Sequence, residues 1–294
     1  MSFRLEMLQV ARVAPKALGE SAELVAAFLR SQLSVEGGFV DRNGKPDLYY
    51  SVFGIEGLVA LRVELPVEQI ANWLSGYGDG DGLDFVHLCC LARCWRGVDA
   101  KRFPLASREG LAARIEKYRT PDGGYHQSPG KASGSAYGAL LAGSAYEDLE
   151  LTVPNPEMLA LSMIALQTAD GAFSNERGQA MGSTTATSAA AAFYRHAGME
   201  VPGELRQWLL RQCLPDGGFL AFPKAPMPDL LSTAVALHAL SGMQADIGGI
   251  RESCLDFVDS LWSAEGGFHG HWADDMLDCE YTYYGLLALG HLTV

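Results

Sequence analysis

Tyrosines and carboxylates cluster where polar loops turn into apolar helical runs. Asp47 precedes Leu48-Tyr49-Tyr50-Ser51, and Asp278-Cys279-Glu280-Tyr281-Thr282-Tyr283-Tyr284 opens the last apolar run. Aromatic faces stabilise cations, and a carboxyl group set against apolar walls has a raised pKa, as an acid catalyst requires. Tyr49, Tyr50, Tyr281, Tyr283 and Tyr284, in company with Asp278 and Glu280, could therefore make and hold a positive centre. A plainer reading stands beside this one. Asp47, Asp229 and Asp278 follow loops and open helices, where N-cap acids belong, and tyrosines pack in cores. His87 reads first as a core histidine. His269 and His271 lie near Asp274 and Asp275, a pairing that can bind metal or simply be solvated loop polarity. Glu147-Asp148-Leu149-Glu150 reads as a solvated face between helices.

The elements that position these residues are legible in the glycines, about one residue in nine of the 294. An acid, two glycines and an aromatic recur as Glu36-Gly37-Gly38-Phe39, Asp122-Gly123-Gly124-Tyr125, Asp216-Gly217-Gly218-Phe219 and Glu265-Gly266-Gly267-Phe268. Asp170-Gly171-Ala172-Phe173 and Asp81-Gly82-Leu83 are degenerate copies. The second-glycine positions are spaced by 44, 42, 48, 46 and 49 residues, a period that marks a repeat architecture. Each unit has an amphipathic helical stretch before the glycines and a more apolar one after the following loop, as in Glu20–Leu33 and then Leu48–Val63. Gly-Gly supplies the positive φ and tight reversal that end the first helix. The aromatic is expected in the seam between helix pairs. The apolar second helices predict burial inside a ring of outer helices, so the expectation is one all-α domain, 1–294. It is a closed six-repeat α/α toroid around a central cavity, with units at roughly 20–63, 64–105, 106–146, 154–198, 202–243 and 248–292. Small residues from Ala132 to Gly138 and from Gly182 to Ala190 leave the middle unfilled.

With 35 acidic against 22 basic residues the formal charge is −13, which disfavours a nucleic-acid partner. No apolar run reaches the roughly 20 residues of a membrane span, and no signal-peptide pattern is visible. The cysteines form no CxxC pair, and a cytoplasmic location with free buried thiols is expected.

The repeat pattern resembles the α/α toroids of protein prenyltransferase β subunits and of squalene and terpene cyclases. Gln167–Phe173 and Cys213–Phe219 are similar to that superfamily's glycine-rich repeat, and the likeness spans roughly residues 20 to 292. It is closest to the β subunit of Rab geranylgeranyl transferase. The resemblance implies an enzyme that binds a prenyl diphosphate and transfers the prenyl group, with zinc as an expected cofactor and an α-type subunit as an expected partner. In linear register the zinc ligands are missing. Asp229 is kept, but Leu231 stands where the family has Cys, and Tyr281 stands where it has His. A register rotated onto unit one does better. There Arg42, Lys45, Tyr49, Asp229 and Tyr284 are the expected substrate contacts, with Arg42 and Lys45 on the diphosphate. Asp47, His87 and Cys279 form an incomplete zinc set. Asp278, Glu280, Tyr281 and Tyr50 are the expected catalytic groups. The resemblance also extends to class II terpene cyclases, whose Asp-x-Asp-Asp protonates an alkene. Asp278-Cys279-Glu280-Tyr281-Thr282 fits that frame loosely, with a carboxyl at the donor position and the last Asp missing. A non-catalytic binding toroid is the third reading.

Overall fold

The computed structural model describes residues 2–293. Two short N-terminal helices, α1 (Phe3–Ala11) and α2 (Pro15–Leu18), precede a series of helix pairs. The amphipathic members are α3 (Ser21–Ser31), α5 (Val67–Ser75), α7 (Leu105–Ile115), α9 (Pro156–Ile164), α11 (Glu204–Leu210) and α13 (Arg251–Ser260). Their longer, more buried partners are α4 (Leu48–Ala60), α6 (Phe85–Val98), α8 (Ala136–Asp148), α10 (Thr184–His196), α12 (Leu230–Gly242) and α14 (Cys279–Thr293). The longer helices pack on one another in sequence, α4 on α6, α6 on α8, α8 on α10, α10 on α12 and α12 on α14, and α14 packs on α4. Each amphipathic helix lies against this inner set. The architecture is an α/α toroid. Two-residue strands, β1 (Phe219–Leu220) and β2 (Pro228–Asp229), pair across one loop.

The repeat turns hold the helix pairs by two local devices. Gly37, Gly123, Gly171, Gly217 and Gly266 all have φ between +82° and +111°, a region closed to most side chains. At Gly217 a Cβ would sit 1.9 Å from the Ser253 carbonyl oxygen on α13, so the turn also presses directly on the next helix. The aromatics Phe39, Tyr125, Phe173, Phe219 and Phe268 are at most 1% exposed, filling the seams as their position predicts. In four of the five, the aromatic's own amide is tied to the next inner helix by a hydroxyl. Phe39 donates to Ser51 Oγ at 2.8 Å, Phe173 to Thr187 Oγ1 at 3.1 Å, Phe219 to Thr233 Oγ1 at 2.9 Å and Phe268 to Thr282 Oγ1 at 3.3 Å.

The inner helices begin at one end of the toroid. There the first amide of one unit reaches into the loop of the next. Tyr137 N donates to Asn175 Oδ1 at 2.9 Å, Thr184 N to Ala221 O at 2.8 Å and Leu230 N to Gly270 O at 2.8 Å. At the other end α1 packs on α4, α8 and α14 and stoppers the ring. Arg4 donates to Glu56, Phe3 N donates to Glu147 at 3.0 Å, and Glu6 accepts from Arg195. Residues 1–20 carry no expectation from the repeat. Their role exists only against the assembled helices.

Gly217 and Gly44 separate the two glycine effects, since both have positive φ but a Cβ at Gly44 meets nothing. Gly44→Ala is expected to lower unfolding stability in urea by about 1 kcal/mol, the left-handed penalty alone. Gly217→Ala is expected to lose about 3 kcal/mol or more, because the backbone contact must also give. Equal losses would contradict the close approach.

Candidate active site

Arg42, in the loop before α4, reaches across to the loop before α14. Its Nε donates to Asp278 Oδ2 at 2.7 Å, and Nη1 and Nη2 donate to Asp274 at 3.3 and 2.8 Å. Its guanidinium lies 5.3 Å from the centre of the Tyr281 ring. Asp278, 2% exposed, also accepts the Tyr281 amide at 2.8 Å and so organises the first turn of α14. Burial pushes Asp274 up, but its bonds to Arg42 and to backbone amides hold it below the usual carboxylate range. Both acids are thus ion-paired structural groups.

Glu280 differs. It sits one step inside α14, where no orphan helix amide reaches it, and among the described residues its carboxyl has one hydrogen-bond partner, the Tyr49 hydroxyl at 2.6 Å. Burial pushes its pKa up to about 7, with Asp278 adding to the shift and Tyr49 and Arg42 opposing it. Tyr49 packs edge-on against Tyr50 and Phe53, with ring centres 5.6 and 5.1 Å away. Burial holds the Tyr49 phenol well above its ordinary value, so it is a hydrogen-bond donor and not a base. Tyr50 and Tyr281 are both raised to about 12, mainly by burial.

A second carboxylate set forms around His87. Asp47 caps α4 through the amides of Tyr49 and Tyr50, at 2.8 and 3.1 Å, and its Oδ2 lies 3.1 Å from His87 Nε2. His87 Nδ1 lies 2.9 Å from Asp84, which caps α6. The bond to Asp47 is the main cause of a His87 pKa raised to about 9, against opposition from burial and with help from Asp84. His87 is therefore an imidazolium held between two carboxylates.

This geometry does not fit the expected zinc set. Both ring nitrogens of His87 carry protons and face carboxylates, so neither offers a lone pair to a metal. Cys279 is fully buried in the core, and burial raises its thiol well above the ordinary value. Among the described residues no three His, Cys, Asp or Glu side chains converge on a metal position. Of the expected diphosphate contacts, Arg42 is otherwise engaged. Arg42 is neutralised by two carboxylates, and Lys45 is exposed in a tight turn whose carbonyl accepts the Asp41 amide at 2.8 Å. Asp229 caps α12 through the Ser232 amide and hydroxyl at 2.7 and 2.8 Å, its pKa raised by burial. His269 and His271 bond to loop backbone.

Beneath this acidic mouth lies a cavity of about 390 Å³, within the range of small-molecule sites. Tyr49, Tyr137, Asn175 and Leu231 line its upper part, and Phe53, Tyr283 and Tyr284 form an aromatic wall. Ser144, Ala145, Ala186 and Ala189 make the opposite side, the small residues of α8 and α10. Phe3 and Met7 of α1 close the bottom, beside Glu56, Arg93 and Asp148. Neither this floor nor the place of Tyr137 was foreseen from the sequence. The one signal for the floor was Glu56, a lone charge inside the apolar α4. The solvated reading of 147–150 is corrected here. Asp148 is 6% exposed and accepts from Arg93, and Leu149 is buried, whereas Glu147 and Glu150 are exposed, Glu150 beside Arg96 and Arg108.

The fold and site together define an α/α toroid with an acid-bearing mouth over a mostly apolar cavity. The prenyltransferase α/α toroid domain profile matches residues 8–75, 85–196 and 196–293. The chain belongs to that family. No curated protein sequence is similar enough to count as a match. Among solved structures, the type II terpene cyclase MstE from Scytonema with geranylgeranyl dihydroxybenzoate bound is similar at 14% identity and TM-score 0.62, covering 95% of this chain and 97% of that one. A ligand-free form of the same cyclase gives TM-score 0.65 at 13% identity, over 95% and 97% of the two chains. A glycosidase is similar at 12% identity and TM-score 0.60, over 97% and 96%. These likenesses establish the shared fold. No helix among the described residues is long and apolar enough to cross a membrane.

The His87 cluster makes a stability claim of definite sign. A pKa raised from 6.5 to about 9 stabilises the fold fully below pH 6.5, and the gain is lost as pH rises through about 9. The wild type is expected to melt about 2 °C above His87→Gln at pH 6, with the difference gone at pH 10. A difference independent of pH would contradict the imidazolium.

Proposed function

We propose that this toroid is an isoprenoid-handling enzyme of the acid-initiated, cyclase type, with Glu280 as the proton donor. The observation that supports this reading is the Glu280 carboxyl, its pKa pushed up to about 7 by burial and its oxygen held by Tyr49, whose side chain lines a mostly apolar cavity walled by tyrosine and phenylalanine. Glu280 gives its carboxyl proton to one carbon of an alkene. A C–H bond forms, and the neighbouring carbon becomes a cation that a second double bond attacks. Loss of a proton from a carbon beside the final cation restores an alkene, and the Glu280 carboxylate is reprotonated through solvent. The product is an isomer of the substrate. Tyr49 orients the donor oxygen, and the ring faces of Phe53, Tyr283 and Tyr284 stabilise the cation in a space that excludes water.

This reading fits the mouth better than prenyl transfer does, because Arg42 is already paired with two carboxylates and leaves only the exposed Lys45 for a diphosphate. It also fits better than glycoside hydrolysis on the same fold, since a fold hosts many chemistries and this lining is largely apolar. The Scytonema cyclase of the same fold holds a geranylgeranyl compound, which suits the apolar lining here.

Incubated with a polyprenyl substrate and no acceptor, the protein is expected to yield a product of unchanged mass, read by gas chromatography–mass spectrometry. Glu280→Gln should lower kcat by about 10²–10⁴-fold, the usual range for a lost general acid. The wild-type rate should fall about tenfold per pH unit above pH 7. The raised pKa also means that the fold loses stability as pH rises from 4.5 to about 7, so Glu280→Gln should melt higher than wild type at pH 8. Full activity in the Glu280→Gln variant would sink the proposal.

A further inference from the structure

The acid chemistry uses only the upper half of the cavity, and the floor is built differently. Glu56, 2% exposed, uses Oε1 to accept from Arg4, while its Oε2 has no partner among the described residues. Ser188, 4% exposed, has an unpartnered Oγ. Arg93 donates through Nε to Asp148, and its two terminal nitrogens meet no acceptor among the described residues. All three side chains line the cavity. A buried polar atom without a partner costs about 1–3 kcal/mol, and two such atoms, Glu56 Oε2 and Ser188 Oγ, face one space beside the partly exposed Arg93.

We propose that this floor is a binding subsite for a neutral oxygen group, a hydroxyl or carbonyl, carried at the substrate end remote from Glu280. Arg93 supplies donors, Glu56 Oε2 faces a hydroxyl, and Ser188 serves as either. Neutrality follows from the charges present. Two guanidinium groups, Arg4 and Arg93, balance two carboxyl groups, Glu56 and Asp148, leaving no net charge to draw in an ion. The distance is set by the helix. Tyr49 and Glu56 are seven residues apart on α4, roughly 10 Å at 1.5 Å per residue. The substrate would be an apolar chain of about that span, oxygenated at its far end. The subsite rests on the proposed acid chemistry only for its direction relative to Glu280.

The test reads binding without turnover. Farnesene and farnesol share a carbon skeleton, and only farnesol carries a hydroxyl. Titrated calorimetrically from the same detergent, farnesol is expected to bind about tenfold more tightly, near 1.4 kcal/mol. Glu56→Gln and Ser188→Ala should each reduce that advantage at least threefold, whereas Glu280→Gln should keep it. Ser188→Ala removes only an unpartnered hydroxyl and is expected to melt no lower than wild type, so its result does not depend on tolerance of the Glu56 change. Equal affinity for the two probes, no binding of either, an advantage that survives either floor variant, or one lost in Glu280→Gln would overturn the subsite. Catalytic loss in Glu280→Gln beside an unchanged farnesol preference in the floor variants would leave the acid reading standing and remove only this one.

Discussion

The clasp of Arg42 on Asp274 and Asp278 is the interaction on which the mouth depends. It joins side chains 236 and 232 residues apart, linking the loop before α4 to the loop before α14. Because Asp278 also holds the first turn of α14, the clasp fixes where Glu280 stands relative to Tyr49 on the neighbouring helix. Three charge-assisted bonds onto one planar guanidinium carry geometric information that a lysine could not. The acids lie at 9% and 3% side-chain exposure, so removing Arg42 would leave two buried carboxylates unpaired, a far greater loss than breaking a surface ion pair.

The same end of the toroid sorts its carboxylates into two kinds. Asp47 and Asp84 accept amide bonds at helix starts, and against burial these bonds and His87 hold both below the usual carboxylate range. Orphan N–H groups and the helix dipole there favour the anion. Glu280 lies beyond their reach, in a buried position with one neutral donor. Groups of one chemical type are thereby pushed to different protonation states, which is the arrangement that lets one stay ionised as structure while another serves as acid. Asp229 is the intermediate case, a capping acid whose burial outweighs its bonds to Ser232.

The fold was legible in the sequence because the repeat turn is local chemistry. A positive-φ glycine, a close approach and a buried aromatic recur together, and no long-range knowledge is needed to find them. The pairing of Tyr49 with Glu280 was foreseen only as proximity, from the first and last units meeting. What escaped was pairing itself. Arg42 looked like a free cation since nothing nearby in sequence marks Asp274 and Asp278 as its partners. Asp148 looked solvated for the same reason, its partner Arg93 lying on another helix. Cys279 alternates with the mouth residues along the chain, yet the helical period turns it into the core. The α1 stopper has no repeat signature, and its acids and bases find meaning only against the ends of α4, α8 and α10.

The central claim is that Glu280, held by Tyr49 at the cavity mouth, keeps its proton up to about pH 7. A difference infrared titration, wild type minus Glu280→Gln, observes that proton directly in the protonated-carboxyl stretch. The account predicts one carboxylic acid band lost in the variant and titrating near pH 7. A difference band titrating near pH 4.5, the ordinary glutamate range, would contradict it.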